Sequence, residues 1–424
     1  MPPLHVPRGG KHKELSARYR GLMITILRLG HHGDGIAEGP VFVPRTLPDE
    51  VVTGEIVQGR MDAPRILTPS PLRIKAPCPH YRNCGGCALQ HAQAKFVTDW
   101  KEGVIRQALA AQGLSAEFRT PHISDLHSRR RASFSGRRLK RGALVGFHAR
   151  ASDVITPVPD CLILHPDLTA ALPLLEELTA RFGARKTTLS LSLTRSDAGL
   201  DLAVSGGKLL DDALRAELGQ WAGQAGLARL AWEGEVIAQT QPPFHQIARA
   251  QITPPSGGFL QATKPAEQAL QMAVSTAVGN AAQIVDLFAG CGTFTLPLAE
   301  RAEMHAVEGD ADMLRALDAG WRQATGLKRI THEARDLFRR PLLPAELKRF
   351  EAAVIDPPRA GAEAQTVALA ASTIPRIAAV SCNPATFARD AKILVAGGYR
   401  LEWVQMVDQF RFSSHVELAA QFTR

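Results

Sequence analysis

From Gln261 to its end the sequence alternates short apolar runs with helical stretches, and few folds accommodate that pattern. Strand candidates at 284–288, 304–307, 352–355 and 378–381 are almost wholly apolar. Strands buried on both faces of a parallel sheet read this way, whereas half-exposed strands alternate. A helix over 265–278 precedes the first strand, and further helical stretches separate the others. A doubly wound α/β sheet is therefore expected for the last part of the chain.

Such sheets bind ligands beyond the carboxyl ends of their strands, so the residues just past each strand carry the argument. After Asp286-Leu287-Phe288 come Ala289-Gly290-Cys291-Gly292-Thr293-Phe294. Glycines at a strand–helix junction let the backbone approach a ligand closely. A dinucleotide fingerprint would place a third glycine at 295, where this chain has Thr295, which counts against NAD and FAD. The next strand ends in Val307-Glu308, setting a carboxylate where it could hold both ribose hydroxyls. The combination points to S-adenosylmethionine. Asp336, past a third strand, is placed either to meet an adenine or to cap a helix.

The fourth strand runs into Asp356-Pro357-Pro358-Arg359, an extended turn at the same mouth. The fifth runs into Ser381-Cys382-Asn383-Pro384, which presents Cys382 beyond the strand rather than within it. Near the end, Glu417 stands in a strand-like run between Val416 and Leu418. By itself that position reads as an ordinary exposed edge residue, with a catalytic base as the alternative.

The earlier part of the chain differs. Short strands over 22–26, 40–44 and 50–57, separated by Gly and Asp-Gly turns, suggest a small closed barrel. A Pro- and Gly-rich stretch then carries Cys78, Cys84 and Cys87, three of six cysteines. With Cys161 they offer four thiolates, a set suited to an iron–sulfur cluster or, with His80 and His91 nearby, to structural zinc. A helix is expected over 94–112, where Phe96, Trp100 and Val104 recur at four-residue spacing. Between Arg129 and Arg141, seven basic residues in thirteen surround Phe134. That run is either a solvated face or a surface for RNA backbone contacts with base stacking. The net charge of +9 on 424 residues favours a polyanionic partner. The start is basic and polar without an apolar core, and no run could span a bilayer, so a cytoplasmic protein is expected.

Taken together, these motifs resemble the RNA 5-methyluridine methyltransferases, in the iron–sulfur-containing branch acting on 23S ribosomal RNA. The resemblance rests on the cysteine set, Phe259-Leu260-Gln261, 286–292, 356–359, Ser381-Cys382-Asn383-Pro384 with Thr386 and Ala388-Arg389-Asp390, and His415-Val416-Glu417. It implies a Rossmann-like class I methyltransferase domain over 259–424, a TRAM- or OB-like barrel over 17–75 for RNA, and a central mixed α/β domain over 76–258. It further implies Cys382 as nucleophile, Glu417 as base, and cofactor contacts from Gln261, Phe288, Glu308 and Asp356. Cys78, Cys84, Cys87 and Cys161 would hold a 4Fe–4S cluster. Thr263, Arg411 and Ser413 depart from the family pattern, which has Asn, Pro and Thr there. A monomer acting on structured RNA is expected. Three other readings fit parts of the pattern: the same reaction on transfer RNA, methylation of a base amino group, or a non-catalytic RNA-binding iron–sulfur protein.

Overall fold

The computed structural model describes residues 19–424. The leader to about Ser16, expected from its composition to be unstructured, lies outside them, as do residues 17 and 18. The chain divides into one compact unit ending at Ala76 but including Ala88–Phe96, and a second made of Pro77–Cys87 and Val97–Arg424. The cysteine-bearing segment thus folds with the large unit.

In the small unit, β1 (Tyr19–Leu29), β2 (Gly35–Ala37), β3 (Val41–Val43), β4 (Val51–Ile56) and β5 (Arg65–Thr68) form a sheet in the order β3-β2-β1-β4-β5. The edge strand β3 bonds back to the segment after β4, through Phe42 N–H to Gly59 O at 2.8 Å and Met61 N–H to Phe42 O at 3.0 Å. That leaves few unpaired edge groups. Its core is Ile26, Ala37, Val43, Val52, Ile56 and Met61.

The helix α1 (Ala94–Ala110) enters the large unit at Val97 and is followed by β6 (Glu117–Ile123), β7 (Arg131–Arg138), β8 (Ala143–His148), β9 (Ile155–Thr156), α2 (Pro166–Ala170) and α3 (Leu172–Phe182). The run from Leu168 to Phe182, which reads as one helix from its sequence, is divided between two, parted at Ala171, because Pro173 suits only the first turn of a helix. Then come β10 (Thr188–Ser196), β11 (Gly199–Ser205), α4 (Asp212–Gln224), β12 (Arg229–Trp232), β13 (Glu235–Gln239) and the small pair β14 (His245–Ile247) and β15 (Ala250–Ile252). Seven of these strands make one sheet, ordered β13-β12-β11-β10-β7-β8-β9.

The α/β part follows: α5 (Lys264–Val278), β16 (Gln283–Leu287), α6 (Thr295–Leu298), β17 (Glu303–Glu308), α7 (Ala311–Gln323), β18 (Ile330–Ala334), α8 (Pro344–Leu347), β19 (Ala352–Ile355), α9 (Glu363–Ala370), β20 (Arg376–Ser381), α10 (Pro384–Ala396), β21 (Arg400–Asp408) and β22 (Leu418–Thr423). Eight strands align as β18-β17-β16-β19-β20-β22-β21-β6. The first five run parallel, β22 is antiparallel to both neighbours, and β6 joins the far edge parallel to β21. One face packs on α5 through Leu270 and Val274, and the other carries Ile105 and Leu109 of α1 with Leu369 and Leu394. Burying each such side chain contributes about 1.5–3 kcal/mol. Among the described residues no helix is long and apolar enough to cross a membrane.

Candidate active site

The strand order turns back on itself at β16, with β17 on one side and β19 on the other. A crevice opens past the carboxyl ends of strands at such a switch point. Leu287 and Ile355 are in register, so Phe288 and Asp356 emerge side by side, and Asp356 N–H donates to Leu287 O at 3.2 Å.

The chain leaves β16 through a strained turn. Phe288 sits at φ 64°, Gly290 at 55° and Gly292 at 90°. A bulky residue adopts that region only where surroundings impose it. Here Phe288 and Ala289 both donate backbone N–H groups to Val307 O, at 2.9 and 3.1 Å. A Cβ on Gly292 would come within 2.6 Å of Leu317, so close packing with α7 requires the glycine, whereas Gly290 faces open space. Glu308 braces the turn: its carboxylate accepts N–H groups from Gly290 (2.9 Å), Gly309 (2.7 Å) and Asp310 (3.0 Å). The Phe288 ring lies 5.4 Å from that of half-exposed Phe338. Asp336 caps the turn leading to Phe338, accepting that residue's N–H at 3.0 Å.

Acidic groups gather at this mouth. Asp286 is fully buried; one oxygen accepts from the Thr295 hydroxyl at 2.6 Å and the other, Oδ1, has no partner. Burial pushes its carboxyl up to about 7. Asp356 is raised well above the ordinary carboxylate range by burial and by the charges of Glu417, Asp286 and Glu308. Open space at Gly290, an orphaned buried carboxylate oxygen and clustered negative charge suit a cationic nucleoside ligand.

The second half of the site comes from the antiparallel strand. Ser381 of β20 pairs with Leu418 of β22. Cys382, one residue past that pair, and Glu417, one residue before it, therefore meet at the same end of the sheet. Glu417 is 4% exposed, so the edge position suggested by its sequence context is not what the fold provides. Burial raises its carboxyl to about 7, and it accepts a hydrogen bond from Gln409 Nε2. The Cys382 thiol is half-buried and raised by burial, Glu417 and Asp356, with Arg359 opposing. The other C-terminal cysteine, Cys291, is buried beside Met313 and pushed up to about 12, a poor nucleophile.

The loops around Cys382 are fastened together. Asn383 caps α10, accepting from Ala385 N–H at 3.1 Å, and its Nδ2 donates to Arg359 O at 2.9 Å. The Thr386 hydroxyl donates to the same carbonyl at 3.2 Å, and Arg359 Nη2 donates to His415 Nδ1 at 2.7 Å. Two departures from the family pattern have structural tasks. Thr263 caps α5 through Ala266 N–H at 3.2 Å and contacts Ser124, and the Ser413 hydroxyl accepts from His415 N–H at 3.2 Å. Arg411 lies over the Phe412 ring at 5.4 Å.

Gln261 is buried behind this pair, with Gln409 Nε2 donating to its Oε1 at 2.6 Å. Gln409 was not singled out from the sequence; its signal is an amide directly following the Asp408 that ends an apolar strand. Asp408 itself pairs with fully buried Lys101 of α1 at 2.8 Å.

The cysteine loop is held on the seven-stranded sheet. Gly85 N–H donates to His148 O at 2.9 Å, the Thr156 hydroxyl donates to Asn83 O at 3.0 Å, and His80 pairs with Asp160. A Cβ on Gly85 would press within 2.7 Å of His148 O, so only glycine fits. Cys84 and Cys161 pack against one core cluster, and Cys87 and Cys161 both act electrostatically on Arg129. Among the described residues no three His, Cys, Asp or Glu side chains converge as a metal-binding group.

The basic run needs correction. Phe134 is not a base-stacking platform: it is buried and stacks on Phe147 at 5.0 Å. Arg130 is buried in an ion pair with Glu267 at 2.5 Å and donates to Gln261 O at 3.1 Å. Successive residues of a strand face opposite ways, so one set turns inward while Arg131 and Arg137 stay partly exposed beside exposed Lys140 and Arg141.

The sheet order, the glycine turn and the carboxylates at the switch point define an α/β methyltransferase fold. It superposes on the tRNA (uracil-54, C5)-methyltransferase of Pyrococcus abyssi with a TM-score of 0.75 at 20% identity, over 95% of this chain and 99% of that one. The family model described as tRNA (Uracil-5-)-methyltransferase matches residues 323–424. An uncharacterized RNA methyltransferase of Mesorhizobium japonicum is 43% identical, over 96% of this chain and 98% of its own length. The 23S rRNA (uracil(1939)-C(5))-methyltransferase RlmD of Dichelobacter nodosus is 32% identical, over 95% and 98% respectively. The chain belongs to the RNA uracil-C5 methyltransferase family.

Proposed function

We propose that the protein forms 5-methyluridine in 23S ribosomal RNA by covalent activation of the base through Cys382. The observation that carries this reading is the register of β20 and β22, which sets Cys382 and Glu417 at one mouth beside Asp356.

Uracil C5 is too weak a nucleophile to take a methyl group unaided. When the Cys382 thiolate adds to C6, an S–C6 bond forms and the C5=C6 electrons move to the C4 carbonyl oxygen as an enolate. The enolate makes C5 nucleophilic toward an electrophilic methyl. Afterwards Glu417 removes the C5 proton, the C5–H electrons restore C5=C6, and the S–C6 bond breaks to return the thiolate. S-adenosylmethionine, when bound, would supply that methyl from a cationic sulfonium, the S–CH3 bond breaking as C5–CH3 forms and its electron pair remaining on a neutral thioether. Gln261, Phe288, Glu308 and Asp356 are the residues that would hold it. The acidic surroundings that favour a cation also penalise the thiolate until that cation is in place, which favours cofactor binding before addition.

The target uracil must leave its stack to reach Cys382. Arg131, Arg137, Lys140 and Arg141 supply cationic groups for the RNA backbone, and the barrel expected over 17–75 is a second RNA-holding element. Cys78, Cys84, Cys87 and Cys161 are proposed to hold a 4Fe–4S cluster in the domain expected over 76–258. What supports the reading is that Cys84 and Cys161 pack against one core cluster and that Cys87 and Cys161 both act on Arg129. Anaerobically purified protein should be brown with about four iron per chain; a colourless zinc protein would overturn this assignment. The enzyme is proposed to act as a cytoplasmic monomer.

The reaction is tested with 5-fluorouridine-substituted ribosomal RNA and S-adenosylmethionine. Fluorine at C5 cannot be removed as a proton, so a denaturation-resistant adduct through Cys382 is expected, and none with Cys382→Ala. Methylation of ordinary RNA without any adduct would instead indicate amino-group chemistry. An adduct formed only on transfer RNA would reassign the substrate.

A further inference from the structure

Gln409 touches no reacting atom, yet three of the four hydrogen bonds its side-chain amide can make are committed inside the site. It is 3% exposed. Its Oε1 accepts the Ala262 N–H at 2.6 Å, and its Nε2 donates to Gln261 Oε1 at 2.6 Å and to Glu417 Oε2. The orientation of this amide is fixed by its partners. Flipped, it would turn an oxygen toward the Glu417 carboxylate and an NH2 toward the Ala262 N–H.

Its neighbours hold it in place. Asp408, the preceding residue, is bonded by Lys101 Nζ at 2.8 Å, and the same ammonium donates to Phe410 O at 3.1 Å. On the far side, Arg130 donates to Gln261 O at 3.1 Å while paired with Glu267. Glu417 thus receives its hydrogen bond from a group with no rotational freedom of its own.

We infer that Gln409 is a positioning residue for the proton-removal step, holding Glu417 aligned and ionised, and linking it to the Gln261 side of the cofactor crevice. The inference rests on the assignment of Glu417 as base. Burial opposes ionisation of Glu417, and the Gln409 hydrogen bond is the contact that favours it. A hydrogen bond to a charged group is worth on the order of ten- to a hundredfold in such an equilibrium. Loss of the donor should therefore slow removal of the C5 proton while leaving thiolate addition and methyl transfer in place. The covalent, already methylated RNA adduct would then accumulate on ordinary uridine substrate, where the parent enzyme turns it over.

The test compares Gln409→Met, Glu417→Gln and the parent enzyme on unmodified 23S ribosomal RNA fragments, reading denaturation-resistant adduct and turnover against pH. Gln409→Met should accumulate adduct, lose turnover by about ten- to a hundredfold, and shift the acidic limb of its profile to higher pH. Trapping on 5-fluorouridine RNA, which needs no base, should remain at the parent level and reports that the variant is folded. Should Gln409→Met not fold, Gln409→Glu keeps the length and the acceptor for Ala262 N–H, and must accumulate adduct in the same way. Adduct accumulation by Glu417→Gln together with parent-like turnover, profile and adduct level in the Gln409 variant would overturn the inference alone. No accumulation by Glu417→Gln would overturn the assignment of the base beneath it.

Discussion

Replacing Glu417 with Gln should stabilise the protein at alkaline pH while removing its activity. Burial raises the Glu417 carboxyl from the usual 4.5 to about 7. In the unfolded chain it ionises near its ordinary value, so between those two values the folded protein keeps a proton that the unfolded chain has released. The stabilising contribution is fully present below about 4.5 and is lost as pH rises through about 7. That difference corresponds to about 3 kcal/mol. Glutamine cannot ionise, and its side-chain oxygen can still accept the hydrogen bond that Gln409 donates. Glu417→Gln should therefore match the parent near pH 4.5 and exceed it by up to about 3 kcal/mol at pH 8. Asp286, whose shift owes nothing to Glu417, cancels in the difference, whereas Asp356 is raised partly by the Glu417 charge, so its own penalty is relieved in the variant and adds to the gain at high pH. Urea unfolding at a series of pH values, read as a midpoint shift at constant slope, measures it. Turnover should fall by about a hundred- to ten-thousandfold, as for loss of a general base. Stability curves that run parallel in pH would refute the reasoning, because Glu417 would then ionise alike in both states.

In the parent enzyme, kcat should lose about tenfold per unit below pH 7 as Glu417 takes up a proton, and a flat profile from about pH 5.5 to 7.5 would contradict the role. Glu308→Ala removes the acceptor of three backbone N–H groups at the glycine turn; S-adenosylmethionine should bind about ten- to a hundredfold more weakly by calorimetry, and unchanged affinity would exclude it from the site. Arg130→Met leaves the buried Glu267 carboxylate with Lys264 alone, at 2.7 Å, and should cost about 1.5–3 kcal/mol in denaturant unfolding. By contrast, Arg137, Lys140 and Arg141 changed together to Ser should leave stability within about 0.5 kcal/mol per site while weakening RNA binding and flattening its salt dependence.

The catalytic sheet was legible because its central strands are buried on both faces and must be apolar throughout. The run at 352–355 appears as β19 with Ala352, Ala353, Val354 and Ile355 all buried. Residues just past such strands were legible as mouth residues for the same reason: the fold leaves them nowhere else to go. Facing direction was less accessible. In β7 the buried Phe134 alternates with half-exposed or exposed neighbours, and a run rich in arginine conceals that alternation. Arg130 and Arg131 are one residue apart in sequence, yet one neutralises a buried glutamate and the other remains partly exposed.

The parts that sequence patterns miss share one physical origin, since each depends on pairing between segments far apart in the chain. β6 carries the mixed sequence of a half-exposed edge strand, and only its parallel register with β21 makes it part of the catalytic sheet. Lys101 looks like a solvated helix residue until Asp408 is brought against it. Removing Lys101 would leave the buried Asp408 carboxylate without its cation, a loss larger than most single contacts in the site, and Arg130 pairs with buried Glu267 in the same way. These pairs bind α1 and the segment around Arg130 to the loops that carry Gln261, Gln409 and Glu417. They therefore cross residue 259, where the family resemblance sets a division. The catalytic loops draw their rigidity from residues that precede that division.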